Sequence, residues 1–460
     1  MTTSRPPPFD AWLFPPGLPQ PQALEHVGSD TVTIRYPKSD HHLAYILVSS
    51  LRAARPPLAG LETRDLITLL GAAGERFPHT LDEEAIGEVA ANAGLSPPMT
   101  REVLGGMADS WTTDALKRLV RAEFPDPRVL DGFVAEDGRK THAAAPGVTL
   151  HLGAGSVPGV TITSLLRALL VRSPVLVKPG AGDEVLTTRF ARELHRADPR
   201  LAAAVAVHYW PGGSPGRATW EQELLTLADQ VVVYGDDDTI ESVRARAPAS
   251  TRLVEHPHRL GVAIVDPDSA PGAAADAARA VAMFDQRGCV STHLILLLGD
   301  HEGAREWCGH LAGHLARIDA KLPPAPPSPA ELSARHQLKG RLALRETTTE
   351  EVTSWAPEGA GWTLVLGPGR AFEPVGGRTV WVVPVPAAAA CPDVLAPLSA
   401  KLQTVGLAGV RPDRGRLAEA LFGLGATRIV PLDQVPFPPP DWLHDGSRPL
   451  RELVCWSELR

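Results

Sequence analysis

A chain of 460 residues is too long for one small core, so two or three domains are expected. A 44% hydrophobic and 21% charged composition excludes a mainly disordered chain or a fibre. The formal net charge of -8 provides no general basic field for a phosphate backbone, so nucleic-acid binding is not expected.

Residues 1–22 are interrupted by prolines and read as an irregular arm. Leu61 to Phe77, Asp82 to Ala93 and Met99 to Phe124 carry apolar residues at three- and four-residue spacing, with Thr80 and Ser96 placed as caps. They predict a helical N-terminal layer. From Val148 the pattern changes to short apolar runs, Val148 to Leu152, Pro174 to Val177, Ala204 to Tyr209 and Gln230 to Tyr234, alternating with helical stretches. That rhythm predicts a doubly wound parallel sheet. A second α/β segment follows, with Val262 to Val265, an alanine-rich helix Ala273 to Phe284, the run His293 to Leu298, a surface linker Pro323 to Pro329, strands Trp362 to Leu366 and Thr379 to Val383, a helix after Asp413, and Thr427 to Val430. The expected division is 1–22 arm, 23–260 helical layer and cofactor domain, 261–425 catalytic domain, and 426–460 packing back on the body.

The four cysteines, Cys289, Cys308, Cys391 and Cys455, are scattered, without the spacing of a zinc site or a disulfide framework. No metal is expected, and a reducing cytoplasm is the natural compartment. The N-terminus lacks the continuous apolar stretch of a secretory signal, and no apolar run reaches membrane-span length.

Cys289 stands in Asp285-Gln286-Arg287-Gly288-Cys289-Val290-Ser291-Thr292, between a predicted helix and an apolar strand. A thiolate there suits acyl transfer, because its thioester stays reactive toward a reductant. Taken alone, such a cysteine is more often a small buried hydrophobe. The turn Gly153-Ala154-Gly155-Ser156-Val157-Pro158-Gly159 follows a strand and precedes a helix, so it can aim backbone N–H groups at an anion or only make a tight turn. Lys178 ends a strand at the ligand-binding edge of a parallel sheet, or is a solvated strand-end lysine. Gly235-Asp236-Asp237-Asp238 opens a helix, for which capping is the default reading. His256, His258 and His293 read as structural or surface residues.

In this order the pieces resemble the aldehyde dehydrogenase superfamily: a glycine-proline turn, a strand ending in Lys-Pro, a strand ending at Gly before a helix, then the cysteine. A closer likeness is to its acyl-CoA reductase branch, the LuxC-type family. It is carried by Gly153-Ala154-Gly155-Ser156-Val157-Pro158, Tyr209-Trp210-Pro211-Gly212-Gly213, Lys401-Leu402-Gln403-Thr404-Val405-Gly406 and Trp442-Leu443-His444-Asp445-Gly446. The resemblance implies a Rossmann-type cofactor domain beside an α/β catalytic domain. It implies a thioacyl-enzyme on Cys289, oxyanion support from Ser156 where the family usually has asparagine, and cofactor contacts at Gly155, Pro158, Lys178, Gly235 and Asp236.

The implied reaction is NAD(P)H-dependent reduction of an acyl-CoA or acyl-carrier thioester to aldehyde by a homo-oligomer. Ala181 replaces the acid that NAD-preferring relatives carry after the Lys-Pro lysine, which favours NADPH over NADH. No Glu-Leu-Gly-Gly segment is present, and Glu255 lies near its expected place. The alternatives are an aldehyde dehydrogenase working in the oxidising direction and an inactive scaffold of the same fold.

Overall fold

The computed structural model describes residues 7–28, 32–136, 138–213, 218–348, 352–411 and 414–460. Two units emerge from its contacts: Met1–Ala93 with Thr100–Pro257 and Pro439–Arg460, and Gly94–Met99 with His258–Pro438.

The first unit is built on a six-stranded sheet. Strands Val205–His208, Val175–Lys178, Thr149–Leu152, Gln230–Gly235 and Arg252–Pro257 lie side by side in that order, all parallel. Counted along the chain this is the order 3-2-1-4-5, whose connections change direction between Thr149–Leu152 and Gln230–Gly235. In open α/β sheets, ligands bind outside the carboxyl ends of the strands at that switch point. The apolar runs are fully buried because helices such as Val160–Leu170 and Glu184–Ala197 pack against the sheet, as parallel sheets require. Trp12–Leu13, within the stretch read as an irregular arm, pairs antiparallel to Val205–His208 and closes one edge.

The helical layer is present with different boundaries. Helix His41–Ala59, capped by Asp40 through Leu43 N at 2.8 Å, precedes the predicted helices. The segment expected as one helix from Met99 to Phe124 is two, Pro97–Ala108 and Thr113–Glu123. The break occurs because the Thr112 side chain accepts from Ala115 N at 3.2 Å and restarts the helix, while Trp111 turns into the core at 0% exposure. Ser96 caps as expected, through Met99 N, whereas Asp82 rather than Thr80 caps the preceding helix, through Ala85 N.

The second unit holds a seven-stranded sheet ordered Thr353–Trp355, Thr363–Leu366, Thr379–Val385, Thr292–Leu298, Leu260–Val265, Leu402–Ala408, Arg428–Pro431, parallel except for its first strand. Helices His301–Lys321 and Pro329–Thr348 flank the expected linker. Among the described residues no helix is long and apolar enough to cross a membrane.

Candidate active site

In the first unit, the predicted residues gather at the carboxyl edge of the sheet. The glycine turn leaves the strand at Leu152, and Gly153 N donates to Lys178 O at 2.8 Å, tying it to the neighbouring strand. The turn lies so close to residues 180–181 that a Cβ on Gly155 would sit 1.9 Å from Ala181 O, and one on Gly180 would sit 2.2 Å from Gly155 N. These glycines are therefore required by the chain's own packing. Pro158 is buried and Ser156 is exposed at the tip. Gly159, at φ +95, turns the chain into helix Val160–Leu170, whose N-terminus has no side-chain cap.

Lys178 is half-buried, with its ammonium 5.8 Å from the ring centre of Tyr209 and 5.9 Å from that of Trp210. Burial lowers its pKa, while Glu221 and Glu184 oppose the shift. Both carboxylates are held by donors: Glu221 by Trp210 Nε1 and Arg246, Glu184 by Asn92 Nδ2 and Gly182 N. Gly235 is crowded by Thr239, and the Asp236 side chain caps helix Asp237–Arg246 through Thr239 N at 2.8 Å. Capping is thus an observed role of Asp236, and Asp237 and Asp238 add negative charge to the same helical turn.

A stack missed by the sequence reading lies beside this edge. Tyr234, His256, His444 and Trp442 stack in succession with ring centres 4.5, 4.2 and 4.5 Å apart. His256 Nδ1 donates to Asp445 Oδ2 at 2.9 Å, and Arg167 donates to His444 Nδ1 at 3.4 Å. His256, His444 and Asp445 bring potential ligand atoms within 4.8 Å of one another. The two imidazoles are nearly parallel, at 14°, so their in-plane lone pairs cannot converge on one ion, and the Arg167 charge opposes a cation. The group is a hydrogen-bonded stack. Glu255 forms a two-point ion pair with Arg244 at 2.9 and 2.6 Å. The C-terminal motif Trp442-Leu443-His444-Asp445 and the structural reading of His256 were its traces in the sequence, but nothing there brought the two together.

In the second unit, Cys289 sits in a turn just before strand Thr292–Leu298. Three consecutive non-glycine residues ahead of it, Phe284, Asp285 and Gln286, have φ of 58°, 49° and 64°. Such residues each cost about 1 to 3 kcal/mol and persist only when their surroundings over-determine them. Here Asp285 accepts two hydrogen bonds from Arg378, at 2.9 and 2.7 Å, with both side chains buried. Gln286 donates to Thr292 O and Thr379 O and accepts from Thr379 N, each at 2.8 Å. Gly288 N donates to Ser291 Oγ at 3.2 Å. The strained turn is pinned to two central strands. All four cysteines are free thiols; Cys289 is part-exposed and Cys455 exposed, whereas Cys308 and Cys391 are buried, and burial pushes each of their thiols up to about 12.

The sequence matches the acyl-CoA reductase (LuxC) family over residues 58–456. The chain belongs to that family. Among the family's relatives, it is 26% identical to the long-chain acyl-protein thioester reductase of Vibrio harveyi over 53% of this chain and 52% of that protein. It is likewise 26% identical to long-chain acyl-protein thioester reductase 2 of Photobacterium leiognathi, over 74% of this chain and 70% of that protein. The match thus spans about half the length of the Vibrio protein. Solved aldehyde dehydrogenases share the fold: lactaldehyde dehydrogenase at TM-score 0.76 and 16% identity, covering 98% of this chain and 99% of that one, and aldehyde dehydrogenase C of Pseudomonas syringae, solved with NAD+ and octanal, at 0.74 and 13%, covering 97% and 96%.

Proposed function

We propose that this LuxC-family protein reduces a long-chain acyl thioester to the aldehyde through a thioacyl-enzyme on Cys289. The observation that carries the reading is the Cys289 turn: a part-exposed thiol that follows three left-handed residues held by buried Asp285–Arg378 and Gln286 bonds. Its thiolate attacks the acyl carbonyl, forming a carbon–sulfur bond as the donor's carbon–sulfur bond breaks and the donor leaves as a thiolate. A nicotinamide cofactor, when bound, would supply the hydride that the acyl carbon takes up. The carbon–sulfur bond to Cys289 then breaks, releasing aldehyde and restoring the thiolate. We assign the exposed Ser156 hydroxyl as a donor to the oxygen that carries charge between these steps. Acyl-CoA and acyl-protein are the two donor classes; the relatives' names favour the protein thioester.

Nicotinamide binding fits the first unit's switch point, with Lys178 and the turn through Gly155 and Pro158 as its contacts. Asp236 to Asp238 fit a pyrophosphate poorly, so the assignment rests on Lys178 and the glycine turn more than on Gly235 or Asp236. NADPH is preferred over NADH in this reading: Ala181 offers no carboxylate against a 2′-phosphate, and Glu184 and Glu221 are engaged elsewhere. The Arg244–Glu255 pair supports reduction over oxidation, because an aldehyde oxidiser needs a free base to activate water. Self-association is proposed on the sheet of Val134–Glu136, Arg139–Ala144 and Cys455–Leu459, whose edge strand exposes Trp456 and Leu459.

The test is Cys289→Ala, with acyl-CoA and acyl-protein thioesters supplied in turn. Aldehyde formation should vanish while NADPH binding, titrated by fluorescence, stays near wild type. Aldehyde at the wild-type rate would refute the reading, and an unchanged failure with both donors in wild-type protein would favour an inactive scaffold.

A further inference from the structure

Arg428 opens the last strand of the seven-stranded sheet and is only 6% exposed. Its place in the register is fixed: Arg428 lies opposite Thr404, Thr404 opposite Gly261, and Gly261 opposite Thr292. The arginine and the Cys289 turn therefore lie at the same edge of this sheet, the amino-terminal one, on strands three spacings or about 14 Å apart. Local packing narrows that span from the cysteine side. Gly261 N donates to Ser291 O at 3.0 Å, and a Cβ on Gly261 would sit 2.4 Å from Val290 O, so the residues after Cys289 press onto the first intervening strand, Leu260–Val265.

The guanidinium is anchored without being neutralised by these bonds: Nη1 donates to Val435 O at 2.9 Å and Nη2 to Gln434 O. Burial pulls its pKa down to about 10, and a thiolate at Cys289 opposes that shift. Attraction between two charges is mutual, so the cation that is favoured by the thiolate also favours it. Other charged groups near this turn have their own partners: Asp285 pairs with Arg378, Arg287 with Glu331, and Arg259 with Ala400 O. His293, beside His258, is pushed down to about 4 by burial and is neutral at pH 7, and Lys401 lies just before the strand that carries Thr404.

We propose that Arg428 is a positioning residue that holds Cys289 as a thiolate before the acyl donor arrives. It exchanges no proton and forms no bond to substrate; it supplies a fixed positive charge to the nucleophile. The idea rests on the proposed role of Cys289, but its test does not require acyl donor or nicotinamide. The rate of iodoacetamide alkylation would be followed against pH at the Cys289 peptide by mass spectrometry, which separates it from exposed Cys455.

In wild-type protein the midpoint should fall below about 8.5, the value of a free thiol. Arg428→Gln should raise it by about one unit or more and slow alkylation at neutral pH by about tenfold. Arg428→Lys, which keeps the charge, should restore most of the loss. A purely structural role would change melting temperature without moving the midpoint. A wild-type midpoint at or above about 8.5 overturns the proposal whether or not the variants fold. So does a folded Arg428→Gln protein with an unchanged midpoint. If the acyl group proves to sit on another residue while these shifts are seen, the functional reading fails and the Arg428 effect stands.

Discussion

At the scale of single residues, the proposed nucleophile could be singled out in the sequence, whereas the bonds that hold its turn could not. Cys289 drew attention because a cysteine between a helix and an apolar strand, in that motif order, resembles a known nucleophile. Nothing in the local sequence announced that Asp285 would meet Arg378, 93 positions away, or that Gln286 would bridge two strands. Those bonds depend on which strands become neighbours. Asp285→Ala leaves a buried guanidinium with Asp319 and the Leu322 carbonyl as remaining partners. The variant should lose about 3 kcal/mol of unfolding free energy in urea and acylate Cys289 more slowly, because the left-handed turn relaxes. A loss under about 0.5 kcal/mol, the usual range of a neutral surface change, would show that the pair does not hold the turn.

At the scale of elements, parallel strands were readable because their apolar runs are buried on both faces. Helix ends were less readable, since capping competes locally with periodicity. Helix His41–Ala59 escaped because Pro56 and Pro57 in its last turn look like a break, and the Met99 to Phe124 pattern hid a restart at Thr112. The glycine turn shows the same limit. Its residues suggested backbone open to a ligand, but Gly155 and Gly180 are demanded by loop-on-loop packing. Gly155→Ala should therefore destabilise the protein by about 1 to 3 kcal/mol and weaken NADPH binding. Gly212→Ala, whose Cβ would meet nothing within 4 Å, should stay within about 0.5 kcal/mol of wild type. Equal stabilities for the two variants in urea would contradict the packing argument.

For the whole molecule, fold class and family followed from the order of elements, whereas buried charge became visible only with the packing. Burial holds several histidines toward the neutral form: in the first unit His151 is pushed down to about 3, His208 to about 4, His444 well below its ordinary value and His195 below it, and in the second unit His293 is pushed down to about 4. Each takes up a proton more readily when unfolded, so its contribution is complete above pH 6.5 and is lost as pH falls below it. Buried Asp183, pushed up to about 7, works the other way: its folded form binds the proton more tightly, so its contribution grows as pH falls from 7 toward 4. The imidazoles outnumber the buried carboxyls that act in the opposite sense, so their effect decides the sign between pH 6 and 5. Urea unfolding at pH 7, 6 and 5 should show stability falling steeply with acidity. Stability that is flat or rising over that interval would mean these histidines are not buried as described.

The most direct test of the central claim is to locate the acyl group. Wild-type protein would be incubated briefly with a long-chain acyl thioester and no reductant, then digested and mapped by mass spectrometry. Buried Cys308 and Cys391 serve as internal controls, and exposed Cys455 reports nonspecific transfer. One acyl mass should appear on the Cys289 peptide and disappear when NADPH is added, with aldehyde released in equal amount. An acyl group on another residue, or a Cys289 adduct that NADPH does not discharge, would contradict the account.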